Sequence, residues 1–172
     1  MSGPGMTDRE SYHDDLIRGI LRDVRTIAMV GASPKWVRPS YFAMKYLQEK
    51  GYRVIPVNPA AAGRTILGET CYARLAEVPG PVDLVDIFRN SEAAGPVTDE
   101  AIALAAEKNI KVIWMQLGVR NDAAAARAEA AGLTVIMNRC PKIEWGRLHG
   151  ELSWGGINSK IISARRRRLR VA

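Results

Sequence analysis

The two cysteines, Cys71 and Cys140, and the two histidines, His13 and His149, are the thiol and imidazole groups of this 172-residue chain. Their spacing fits no Cys-x-x-Cys site, no disulfide framework and no paired set of metal ligands. A Ser-His-Asp triad has little to draw on. The chemistry on offer is electrostatic. The stretch "VGASPKWVRP", residues 30–39, places Gly31, Ala32, Ser33 and Pro34 after an apolar run and follows them with Lys35 and Arg38. Turn amides, a hydroxyl and two cations are what an anionic phosphate needs.

Alternating elements must hold that loop. Apolar runs at 26–30 (TIAMV), 52–57 (YRVIPV), 82–88 (VDLVDIF), 111–116 (KVIWMQ) and 133–137 (LTVIM) read as buried strands. Leu16, Ile17, Ile20, Leu21 and Val24 repeat at helical period, and Thr7 with Glu10 has capping-box spacing ahead of them. Further helices are expected over 40–50, from a first turn containing Pro96 to Lys108, over 121–132 and over 142–152. Residues 58–69 read as a loop and 72–80 as a short helix. Strands alternating with helices imply right-handed crossovers and an α/β fold. The expected architecture is Rossmann-like: a five-stranded parallel sheet with helices on both faces.

Composition sets the bounds. At 47% hydrophobic and 25% charged residues, the chain can bury one sizeable core, expected over 7–152. Residues 1–6 are expected to be disordered. The first fifteen residues lack the basic and apolar regions of a signal peptide, and no run is long enough for a bilayer. The expected setting is cytoplasmic, with no membrane partner. The formal charge of +7 is concentrated at the end: without the five arginines at 165–168 and 170, the remainder carries +2. Residues 153–172 therefore read as an extended basic tail. A nucleic-acid contact through it is a third reading, behind a solvated terminus.

In parallel sheets the ligand sits beyond the carboxyl ends of the strands. The segments there are GASPKWVRPS, NPAAAGR, RNSE, LGVRN and NRCPK, and arginine recurs in them. A phosphate-bearing ligand follows. The dinucleotide fingerprint fails twice: Gly31 is not followed by the second and third glycines, and Asn58-Pro59 stands where the ribose-binding acid belongs. An NAD(P)-binding enzyme or redox sensor on the same fold is thus the alternative reading, not the leading one.

As a set, VGAS with its basic loop, GYRVIPVNP, ILGE, VDIFRN, IKVIWMQLGVRN and MNRCPKIEWGRL resemble the small bacterial CoA-binding proteins. These are similar to the N-terminal CoA-binding domain of the succinyl-CoA synthetase alpha subunit. The resemblance spans roughly residues 15–150. It implies coenzyme A, free or acylated, as the ligand, in an extended pose. It implies phosphate contacts from Gly31, Ala32, Ser33 and Pro34, extended by Lys35 and Arg38. Asn58 and Pro59 would form the adenine-side turn, with Arg64 on a phosphate. Phe88, Arg89 and Asn90 would lie where the ligand crosses the sheet. Gln116 and Gly118 would face the pantetheine arm, and Cys140 with Pro141 would match the synthetase's Asn-Cys-Pro segment, here interrupted by Arg139. The synthetase acts through a phosphorylated histidine in a second domain. No counterpart is visible here, so the resemblance implies binding without catalysis and leaves room for a homo-oligomer.

Two residues carry open alternatives. Cys140, beside Arg139 and near Lys142, is either a reactive thiol able to form a mixed disulfide with CoA or a small buried one. Trp36 either stacks on adenine or covers the loop. Trp114 and Met115 read as core.

Overall fold

The structure is a computed structural model, described here for residues 11–150. Thr7, Glu10 and the basic tail lie outside the described residues. In chain order the helices are α1 (Asp14–Asp23), α2 (Pro39–Glu49), α3 (Ser91–Lys108), α4 (Asp122–Ala130) and α5 (Pro141–Leu148). The strands are β1 (Thr26–Val30), β2 (Arg53–Val57), β3 (Thr65–Ile66), β4 (Glu69–Thr70), β5 (Leu84–Ile87), β6 (Val112–Met115) and β7 (Thr134–Ile136).

Five strands form one parallel sheet in the order β2-β1-β5-β6-β7. The Rossmann-like α/β expectation is met. Alternate strand residues enter two cores. Ile27 and Met29 of β1, with Trp114 of β6, pack beneath α1, α2 and α5, where they meet Ile17, Leu21, Met44 and Leu47. Ala28, Val85 and Ile113 point the other way, toward Ala94 and Ala101 of α3 and Ala124 and Ala128 of α4. Alanine on that face lets the helices come close to the sheet. Trp114 and Met115 are fully buried, as core residues should be.

Three segments depart from the sequence expectation. Within 58–69 the chain forms a 3-10 turn, Pro59–Ala61, and the antiparallel β3–β4 hairpin. Leu67 and Gly68 both have positive φ (48° and 83°), the geometry of a tight two-residue hairpin turn. The short helix expected over 72–80 is only a 3-10 turn, Leu75–Glu77. Third, α3 starts at Ser91, five residues before Pro96, so the proline lies inside the helix. The start is fixed by Asn90, whose Oδ1 accepts the Ala93 N–H at 2.8 Å.

Candidate functional site

The strand order reverses direction between β1 and β5, so their carboxyl ends open the crevice where such sheets bind ligands. Gly31 sits there. Its N–H donates to the Val57 carbonyl at 2.8 Å, and the Phe88 N–H donates to Val30. Its φ is +91°, and a Cβ would lie 2.2 Å from the Phe88 carbonyl oxygen. Only glycine permits this approach.

The loop after Gly31 is braced from within. The Ser33 N–H donates to the buried Ser40 Oγ, and Ser33 Oγ accepts from the Lys35 N–H. Arg38 is the N-cap of α2, but its side chain makes no capping bond. In the first turn of α2, Pro39 has no N–H, and the Tyr41 and Phe42 N–H groups donate to the Arg38 carbonyl at 3.0 and 3.4 Å. Trp36, 70% exposed, is outside the core. Asn58 locks the neighbouring loop: its Nδ2 donates to the Ala32 carbonyl, and its Oδ1 accepts the Ala60 N–H. Ala32 is itself buried.

An open cleft of about 310 Å³ extends from Gly31 along α3. Of the residues expected at the site, Gly31, Pro59 and Arg89 line it. Arg74 and Glu100 line it too, from the 3-10 turn and from α3. The sequence reading missed both. A cation at the start of a segment read as helix gives no local sign of facing β1.

Some cations near the carboxyl ends of the strands are paired and others are not. Arg120 pairs with Asp122 at 2.8 Å. Arg139 lies 3.8 Å from Glu144 and over the Tyr12 ring. Both serve the fold. Lys35, Arg38, Arg64, Arg74 and Arg89 make no side-chain hydrogen bond or ion pair among the described residues. All five are exposed.

Toward β6 the expected ligand-facing residues lie at or beneath the surface. Gln116 is buried, and its Nε2 donates to both Asp86 oxygens, at 2.9 and 3.2 Å. Asp86 is wholly buried in β5, and burial pushes its carboxyl up to about 7, opposed by the Gln116 hydrogen bond. Cys140, at the N-cap of α5, is also buried. Its thiol is pushed up to about 11, mainly by burial, with Asp86 adding to the rise and Lys142 opposing it. It is therefore protonated at neutral pH. Gly118 is exposed, with φ +78°, and its N–H donates to Asn138 Oδ1 at 2.7 Å. Phe88 is half-buried against the core.

Residues 25–146 match the sequence pattern of a family described as the CoA binding domain. The chain belongs to the CoA binding domain family. The Bacillus subtilis protein YneT is 37% identical over 127 residues, covering 74% of this chain and 90% of that protein. A hypothetical protein from Pyrococcus horikoshii OT3 is 37% identical with TM-score 0.75, covering 87% of this chain and all of that one. The dinucleotide forming acetyl-coenzyme A synthetase 1 of Ca. Korarchaeum cryptofilum is 24% identical with TM-score 0.59. The match covers 73% of this chain and 28% of the synthetase, and shows the shared fold. In this CoA binding domain, the matched region contains the Gly31 loop, the cleft and the Asp86–Gln116 pair. Among the described residues, no helix is long and apolar enough to cross a membrane.

Proposed function

We propose that this protein binds coenzyme A, free or acylated, and holds it without transforming it. The observation that carries the reading is the group of five cations without partners among the described residues, Lys35, Arg38, Arg64, Arg74 and Arg89, on the segments that follow β1, β2, β4 and β5. Family membership gives that charge its ligand class. The close backbone approach at Gly31 and the exposed Lys35 and Arg38 that follow it suit the diphosphate. Cys140, protonated and buried, is a poor nucleophile, which favours holding over covalent chemistry. The acid that a ribose-binding dinucleotide site needs after β2 is replaced by Asn58, whose carboxamide is already bonded to Ala32 and Ala60.

A thermal-shift panel of CoA, NAD, NADP and FAD tests the reading. At a concentration a hundred times its Kd, a ligand stabilises the fold by about 2.7 kcal/mol. CoA is expected to raise the Tm. A clear shift with NAD or NADP and none with CoA would reverse the conclusion.

A further inference from the structure

The cleft beside α3 holds a charge that none of the described residues pairs with. Arg74 opens the 3-10 turn Leu75–Glu77. The backbone on both sides of it is pinned. The Tyr72 N–H donates to the Pro56 carbonyl, and the Tyr72 carbonyl accepts the Asn58 N–H, at 3.0 and 2.8 Å. The Ala73 N–H donates to Glu77, and the Ala76 N–H donates to Glu100 Oε1 on α3. The main chain at Arg74 is therefore fixed to β2 and to α3 at once.

The Arg74 side chain does not share in this. It lines the cleft with Arg89, is exposed, and makes no ion pair or hydrogen bond among the described residues. Glu100 lines the same cleft and is left unpaired by either guanidinium. Elsewhere arginines do find carboxylates: Arg127 with Asp99, Arg53 with Glu69, and Arg147 with Asp14 and Glu144. The remaining wall is largely apolar, from Val57, Leu75 and Val97 among others. A slot with apolar walls and two free guanidiniums suits a flat base joined to a phosphorylated sugar. Arg64, the cation expected from sequence to meet a phosphate, stands outside the cleft, between the Pro59 turn and β3.

We infer that Arg74, seconded by Arg89, grips the phosphate on the adenosine ribose, so that Arg74 is the residue that distinguishes CoA from dephospho-CoA. The inference rests on the CoA reading above. The pinned turn fixes the main chain at Arg74, so contact with a ligand has only the side chain left to order. Arg89, two residues after β5, lines the same space, its Cδ 3.0 Å from where a Gly31 Cβ would stand.

Calorimetric titration of the purified full chain with CoA and with dephospho-CoA tests it. The proteins are wild type, Arg74→Ala, Arg74→Lys and Arg64→Ala, each checked for an unchanged Tm. Wild type is expected to prefer CoA. Arg74→Ala should weaken CoA by about ten- to a hundredfold, the range for losing a hydrogen-bonded charge, and dephospho-CoA by less than about twofold. Arg74→Lys should keep part of the preference. The inference is overturned if Arg74→Ala retains the wild-type preference, or if the preference collapses in Arg64→Ala instead. In either case wild-type CoA binding would leave the CoA reading standing. A wild-type protein that binds neither ligand would remove both.

Discussion

Asp86→Asn separates the electrostatics of the sheet interior from its packing. Asp86 is wholly buried, its carboxyl rises from 3.8 to about 7 on folding, and both oxygens face the Gln116 amide. A shift of about 3 units at about 1.36 kcal/mol each is worth about 4 kcal/mol. The folded-state value is raised, so this stability is fully present below about pH 4. It is lost as pH rises through about 7, because the unfolded chain ionises freely and the folded one does not. Asparagine has nearly the same shape and no charge to lose. Any fixed cost of turning the Gln116 amide to meet it is the same at every pH, so it cancels from a comparison across pH. Urea unfolding of both proteins at pH 5 and pH 8 is the assay. Relative to wild type, the variant should gain about 2.5 kcal/mol between the two conditions. Parallel stability curves would refute the argument, because Asp86 would then ionise in the fold as easily as in the unfolded chain.

Two further outcomes are expected. Gly31→Ala should destabilise the fold by at least about 2 kcal/mol in urea unfolding, because φ is +91° and the Cβ would collide with the Phe88 carbonyl; an unchanged midpoint would contradict that geometry. Cys140, with its thiol pushed up to about 11, should react with iodoacetamide at pH 7.5 at least about a hundredfold more slowly in the native protein than in the denatured one; equal rates by mass spectrometry would restore the reactive-thiol alternative.

The five strands and the parallel crossovers were legible because hydrophobic period and turn residues are local properties. TIAMV, 26–30, is β1 with the same bounds, and the other strands of the sheet differ by one or two residues at an end. The β3–β4 hairpin was not legible. Its two-residue strands are too short to show a period, and Leu67 gives little warning of a positive φ. Basic strand-end segments could likewise be read in order along the chain, but not their use. Arg120 and Arg139 are held by Asp122 and Glu144, while Arg38, Arg64 and Arg89 have no partner among the described residues. Asn58, Asn90 and Gln116, grouped by sequence as ligand contacts, make bonds that fix the loops and the sheet interior.

By itself, then, the sequence determined a parallel α/β sheet, the Gly31 loop at its carboxyl edge and a surplus of positive charge around that edge. Tertiary structure decided which of these charges pair and which residues line the cleft. Arg74 and Glu100 reach the cleft only because the 3-10 turn is bonded to β2 on one side and to α3 on the other. A side chain's partner is set by distance in space, and no local pattern records it.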